Sequence, residues 1–321
     1  METVILYIPH PRQKSFIFYI FNIVTQLEHI LPGSDIVCAE KNREAYLIMG
    51  TIVCKFGGTS VANGERLKSI RAILDRNEDR RYVVLSAPGV DTLQIKLTDS
   101  LYRLWRVREQ EELKYKEIEA IAARFDAMCQ SLGIDLMGDA VRDTLKLALE
   151  TSEAHTVSRG EYLCARLFSD YIGWPMMDAV GLIAFDGKRR LDKAKTCENL
   201  SSMANTFSRA VIPGFYGTDP YGNIVTFPRN GSDITGALVA AGVGASLYEN
   251  WTDVPGLMTD DPATNSHAEV IPEISYADMR YMTMKGARVM HPESLEPVET
   301  AGIPTRIKCT MKPDAPGTLI R

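Results

Sequence analysis

TIVCKFGGTSVANGERLKSI, residues 51–70, sets a lysine at the end of an apolar run and two glycines directly behind it. Thr51 to Phe56 read as a buried strand, and Leu67, Ile70 and Ile73 or Leu74 recur at the spacing of one helix face. A strand that ends in bare backbone just before a helix lets peptide N–H groups approach an anion without side-chain obstruction, and the helix start adds partial positive charge. Lys55 would add a full charge. The same residues also read as a tight glycine turn beside a solvent-exposed lysine, so this stretch leaves both readings open.

The same alternation continues outward. RYVVLSAPG (81–89) is a second buried strand with a loop at its end. A long charged helical region from Asp99 to Ser131 follows, its charges read as a solvated face. DAVRDTLKLALETSEAH is helix-like and leads into SRGEYLCARLFSDYIG. Short β-like runs, AVIPGFYGT and NIVTF, precede a helix, SDITGALVAAGVGA, and a strand, SLYENWTD. Strands alternating with helices predict an α/β fold, a three-layer sandwich with a mainly parallel central sheet. Residues 1–50 read as an N-terminal extension of unknown role, formed by a strand, an apolar segment and another strand, EAYLIMG.

Composition narrows the function. The chain has 321 residues, 45% hydrophobic and 24% charged, which suits a globular protein with a large core. A net charge of −5 argues against a general nucleic-acid binder and leaves room for a local basic pocket. The six cysteines show no C-x-x-C pair and no histidine at zinc spacing, and they read as reduced core thiols. The apolar run FIFYIFNIV is too short to span a bilayer and lacks a small-residue cleavage site, so the expected location is the cytoplasm, with no membrane partner.

Four stretches carry candidate chemistry. Lys55-Phe56-Gly57-Gly58-Thr59-Ser60 is not a P-loop, because G-x-x-x-x-G-K-[ST] is absent. In TFPRNGSDITGA, Arg229 precedes an Asn-Gly turn and Ser232 is placed to cap a helix whose first turn holds Asp233; an arginine there could grip a carboxylate or phosphate. In SRGEYLCARL, Glu161 is either a surface carboxylate or the partner of a substrate ammonium. In NWTDVPGLMTDDP, Thr252 and Asp253 fall at the carboxyl end of a strand, where ligands gather in α/β sheets, although Asp253, Asp260 and Asp261 would equally serve as turn formers.

Taken in order, KFGGTSV, SRGEYL, RNGSD, WTDVPG, GARVMHP and IPTRIKCTMKPDAPGTLI resemble the catalytic domain of the aspartokinases, within the amino acid kinases, from about Thr51 to Ile320. The catalytic domain is accordingly expected over 51–321. The resemblance implies ATP-dependent phosphorylation of the β-carboxylate of L-aspartate, with Mg²⁺. It implies that Lys55 contacts the transferring phosphate, that Gly57 and Gly58, with Thr59 and Ser60 behind them, cradle ATP, and that Asp233 holds Lys55 in place. Glu161 would pair with the substrate ammonium and Arg229 with its α-carboxylate. Ser86, Thr98 and Ser232 match hydroxyl positions near aspartate, and Thr252, Asp253 and Arg288 lie on the nucleotide side.

Departures from the family pattern are Pro228 for a glycine, Met258 for a tyrosine, Ala263 for an arginine and Arg288 for a lysine. The last three fall on the nucleotide side. Two alternatives therefore stand beside the first reading. One is a related small-molecule kinase acting on acetylglutamate, glutamate, carbamate or a nucleotide; the other is a catalytically weak paralogue that binds aspartate or a partner enzyme as a regulatory subunit. Aspartokinases usually continue past APGTLI into ligand-binding regulatory domains, so this stretch is expected to be insensitive to lysine and threonine. A homo-oligomer stands as an open option.

Overall fold

A computed structural model of the chain describes residues 4–6, 19–21, 50–90, 95–228, 230–260, 267–284, 290 and 292–321. Near the N-terminus, β1 (Val4–Leu6) pairs antiparallel with β2 (Tyr19–Phe21). The second strand of this leader thus comes from the apolar segment; EAYLIM lies outside the described residues.

The main sheet contains β3 (Ile52–Phe56), β4 (Arg80–Leu85), β5 (Ala210–Pro213), β8 (Leu247–Thr252), β9 (Glu273–Ile274), β10 (Thr305–Cys309) and β11 (Thr318–Ile320). Its order is β5-β4-β3-β8-β10-β11-β9. The first five strands run parallel, and β11 turns antiparallel to β10. A separate antiparallel pair, β6 (Tyr216–Thr218) and β7 (Ile224–Thr226), stands beside it.

Alternation along the strands divides the interior into two cores, because successive side chains point to opposite faces. Cys54, Phe56, Val83, Leu85 and Trp251 face one core, with Leu67 and Ile70 of α1 (Gly64–Leu74). Val53, Val84, Ile212 and Tyr248 face the other. The first core is completed by α2 (Leu97–Arg106), α3 (Glu111–Leu132), α4 (Gly138–Leu149) and α5 (Glu153–Ile172). The second is covered by α6 (Lys193–Thr206), α7 (Gly231–Gly242), α8 (Tyr276–Met284) and α9 (Pro292–Thr300). The three-layer expectation is thereby met.

Local chemistry sets the element ends. Asn63 caps α1 by accepting the Arg66 N–H, and Ser152 caps α5 by accepting that of His155. The expected single helical region from Asp99 to Ser131 is instead two helices. Val107 closes α2 in a non-helical conformation, and the Arg108 guanidinium folds over the Trp105 ring while bonding its carbonyl. The break allows Leu101 and Leu104 of α2 and Ile118, Ile121 and Phe125 of α3 to enter the same core at different angles. The expectation of core thiols also needs correction: Cys54, Cys129, Cys164 and Cys309 are buried, Cys197 is exposed, and Cys38 lies outside the described residues.

Below the carboxyl end of the sheet lies a buried polar knot. Arg80 makes a two-pronged ion pair with Glu249, at 2.8 and 3.1 Å, and Trp251 Nε1 and Cys54 Sγ donate to the same carboxylate. The knot joins β4, β3 and β8 on the face opposite Lys55. Breaking such a pair strands a buried charge, which costs about 3–5 kcal/mol. Arg80→Met is therefore expected to lower the unfolding free energy by about that amount in a urea titration, with Glu249→Leu added to it recovering much of the loss. A single-variant loss under about 1 kcal/mol would mark the pair as solvent-screened.

Candidate active site

Lys55 is the penultimate residue of β3 and projects from the sheet face covered by α7. α7 can press close to it because position 236 is glycine: a Cβ there would lie 3.0 Å from the Lys55 Cβ and 2.5 Å from the Tyr248 hydroxyl. Asp233, in the first turn of α7, meets Lys55 Nζ through Oδ1 at 2.6 Å. A negative side chain at a helix start interacts favourably with the helix dipole, so the backbone adds to the attraction of the lysine in placing Asp233.

The expected cap is corrected. Ser232 sits inside the first turn, and the N-cap is Asn230, held in the left-handed region at φ 48° with no side-chain capping bond. Asparagine tolerates that conformation better than most residues. The resulting turn carries Asn230, Gly231, Ser232 and Asp233 along one wall of a cavity of about 280 Å³. Lys55, Gly58, Ser86, Glu161 and Phe215 complete the lining. Six of the site residues expected from sequence thus meet in one cavity.

The glycine pair behaves differently from expectation. The Gly57 N–H is committed to the Trp251 carbonyl at 3.1 Å, so Gly57 is the N-cap of a 3₁₀ turn over Gly58–Val61 and cannot offer its amide to a ligand. The leading amides of that turn, Gly58 and Thr59, have no partner within it. Gly58 is bare because the SAPG loop crosses it: a Cβ would come 3.1 Å from the Ala87 carbonyl, and one on Gly89 would come 2.7 Å from Gly58 backbone atoms. The Ser60 side chain is fully buried and bonded to the Thr310 hydroxyl at 2.7 Å, which ties the turn to the end of β10.

Glu161 is the most informative group. It lies on α5, buried, with Oε2 unbonded and aimed at no protein donor among the described residues. Burial pushes its carboxyl up to about 8; an Ala87 amide and the Arg159 charge oppose the shift without cancelling it. α5 approaches the SAPG loop closely because Gly160 has no side chain; a Cβ there would sit 2.8 Å from that of Ala87.

Two contributors carry little sequence signal. Phe215 lines the cavity with φ at 80°, a conformation bulky residues avoid, held by donation of its amide to Thr235 Oγ1 and acceptance of the Phe227 amide. Arg124 of α3, expected on a solvated face, points inward and bonds the carbonyls of Ala62, Gly89 and Ile95. It thereby fastens the 3₁₀ turn, the SAPG loop and the approach to α2 together.

Thr98 is half-buried in the first turn of α2, outside the cavity lining. Thr252 ends β8 and donates to Asp253, and both stand at the carboxyl edge of the sheet, also outside that lining. Arg229, Arg288, Asp261 and Ala263 lie outside the described residues. The cavity therefore presents a paired ammonium, a helix start and the backbone of Gly58 on one side. An unmatched carboxylate faces it from the other. Such a site suits a ligand carrying both an anionic group and a cation.

Comparison with known proteins agrees with this geometry. Residues 50–309 match the amino acid kinase family. Aspartokinase 3 of Bacillus subtilis is 30% identical over 285 residues, covering 84% of this chain and 63% of that protein. The crystal structure of Clostridium acetobutylicum aspartate kinase superposes with a TM-score of 0.79 at 37% identity, covering 84% of this chain and 62% of that one. Escherichia coli aspartokinase III in complex with aspartate and ADP gives a TM-score of 0.74 at 29% identity, covering 84% and 64%. The chain spans less than two thirds of the length of these relatives.

The raised Glu161 carboxyl has a consequence for stability. In the unfolded chain it ionises near its ordinary value of 4.5, but in the folded chain only near 8. The folded state is thus favoured most below about 4.5 and loses that advantage as pH rises through about 8. Glu161→Gln is expected to flatten this fall across the interval, making the variant more stable than the parent at the alkaline end. Parallel stability-versus-pH curves for the two proteins would show that the carboxylate is already solvated or paired.

Proposed function

We propose that this chain, which belongs to the amino acid kinase family, transfers the γ-phosphoryl group of ATP to the β-carboxylate of L-aspartate, giving 4-phospho-L-aspartate and ADP. The observation that carries the reading is the Glu161 carboxyl, buried with Oε2 unbonded, in the same cavity as the Lys55–Asp233 pair. A phosphate alone would offer Glu161 no positive partner. A free amino acid brings an ammonium that matches it. The relatives named as aspartokinases, one of them bound to aspartate and ADP, support the choice of substrate.

In this reading Glu161 takes the substrate ammonium, Arg229 its α-carboxylate, and Ser86 and Ser232 stand around the side-chain carboxylate, with Thr98 outside the cavity lining at the start of α2. That carboxylate is the nucleophile. It is already ionised near neutral pH, so no general base is required, and the protein's tasks are alignment and the cancelling of anionic repulsion. Lys55 serves the second task at the transferring phosphoryl oxygens, with the Gly58 and Thr59 amides beside it. Gly57 and Ser60 act through the turn they hold. Thr252, Asp253 and Arg288 belong to the nucleotide side.

Mg²⁺ suits this site as an ion carried by the nucleotide. Among the described residues no three His, Cys, Asp or Glu side chains form a metal cage, and magnesium held by the nucleotide's phosphates and water does not require one. When bound, it would neutralise phosphate charge. Among the described residues no helix is long and apolar enough to cross a membrane. Dependence on ATP and a free amino acid supports placing the chain in the cytoplasm.

The test is ADP release with aspartate, glutamate, acetylglutamate, carbamate and a nucleoside monophosphate as acceptors. Turnover with aspartate alone is expected, and Lys55→Ala should lower kcat by about 10²–10³-fold while the aspartate KM changes little. Preference for another acceptor, or near-normal kcat in that variant, would overturn the assignment. Aspartate binding by calorimetry without turnover would favour a binding subunit instead.

A further inference from the structure

Asn250 lies in the middle of β8, 3% exposed. In the β3–β8 pairing it stands directly beside Lys55. Register partners on neighbouring strands point to the same face, so both side chains reach the start of α7. There Asn250 Nδ2 donates to Asp233 Oδ1 at 2.9 Å, the same oxygen that meets Lys55 Nζ at 2.6 Å. Chemistry fixes the amide's orientation, since a carboxylate facing an ammonium can only accept and the NH₂ must be the group presented.

An amide at this position is at odds with its surroundings. Val53 and Tyr248, on the same sheet face, belong to an apolar core, and burying an amide there costs stability unless its bond is used. The bond it makes is to the one carboxylate that holds the cavity's lysine. Two donors from adjacent strands converge on a single oxygen, which restrains both torsions of the Asp233 side chain. The Tyr248 hydroxyl bonds the Asp233 carbonyl at 3.3 Å and steadies the backbone of the same residue. Oδ2 remains as the carboxylate's other acceptor, and two N–H bonds of Lys55 remain for an incoming anion.

We infer that Asn250 is a positioning residue for phosphoryl transfer: it anchors Asp233 from within the sheet so that the Lys55 ammonium stays at one point of the cavity. This rests on the kinase reading above. A lysine held only by a free-swinging carboxylate would follow it, and a displacement of about 1 Å at a reacting centre can cost on the order of 10² in rate. Because Asn250 does not line the cavity, its loss acts on the rate and leaves the substrate's own contacts intact.

Two variants of the full chain test this, Asn250→Leu and Asn250→Asp, assayed with ATP and aspartate across about pH 6 to 9. Asn250→Leu keeps the volume and removes the donor. It should lower kcat by about 10–100-fold, with the aspartate KM within about twofold and a ratio to wild type that is constant with pH. In Asn250→Asp the introduced carboxyl can donate to Asp233 when protonated and repels it when ionised; burial and the Asp233 charge raise its ionisation towards the assayed range, against the opposing Lys55 ammonium. Its kcat relative to wild type should therefore fall as pH rises. A merely structural asparagine would give two equally pH-independent losses that follow thermal stability. Wild-type kcat in Asn250→Leu, or a flat pH ratio in Asn250→Asp, overturns the inference alone. If Asn250→Leu does not fold, the pH ratio of Asn250→Asp decides. Absence of aspartate turnover in the wild-type chain overturns the kinase reading and the inference with it.

Discussion

A carboxylate cannot remain ionised in a dry interior without a partner. Glu161 sits in a cavity of about 280 Å³ with one oxygen unbonded. Its charge is therefore suspended: the group holds its proton to about 8 until something positive arrives. The structure around it is arranged to keep that state. Gly160 draws α5 against the SAPG loop, Arg124 fastens that loop from behind, and Phe215 is held in an unfavourable conformation at the cavity wall. Of these features the positive φ of Phe215 is the one that costs backbone strain.

The opposite wall follows a different rule. There the charges are already matched, Lys55 by Asp233, and the pair is placed by sheet register more than by any loop. Parallel pairing of β3 with β4 and β8 sends alternate residues to the two faces. Lys55 and Asn250 go to α7, while Cys54, Glu249 and Trp251 go to the polar knot with Arg80. A slip of one residue would exchange these sets and bury the lysine in the wrong core. The knot beneath and the ion pair above thus depend on one alignment. Stability and chemistry share it.

The parts of this architecture that were legible in the sequence are those in which side-chain identity and spacing agree. The run from Thr51 to Phe56 is apolar enough for a strand buried on both faces, the glycines behind it mark a turn, and Leu67, Ile70 and Ile73 mark one helix face. Lys55, Asp233, Ser86 and Glu161 were readable as candidates only when the motifs were taken together, and the cavity joins them. What escaped reading is what depends on a distant partner. Nothing local distinguishes Arg124 from its solvated neighbours on α3, because its three carbonyl partners lie 29 to 62 residues away. The loss of the Gly57 amide to Trp251 was equally invisible, since it arises from two strands meeting. Capping preference favours serine and so points to Ser232, whereas the left-handed turn at Asn230 fixes where α7 begins.

The central claim is that Glu161 waits for an ammonium, and proton counting during binding tests it most directly. Aspartate titrations by calorimetry at about pH 7, in buffers of differing ionisation enthalpy, report the protons exchanged per ligand bound. A carboxyl that ionises near 8 when free and pairs with the substrate ammonium when occupied must release its proton. The account predicts net release approaching one proton per aspartate, fading as the pH is raised past about 8. Binding heats independent of buffer, or proton uptake, would contradict it.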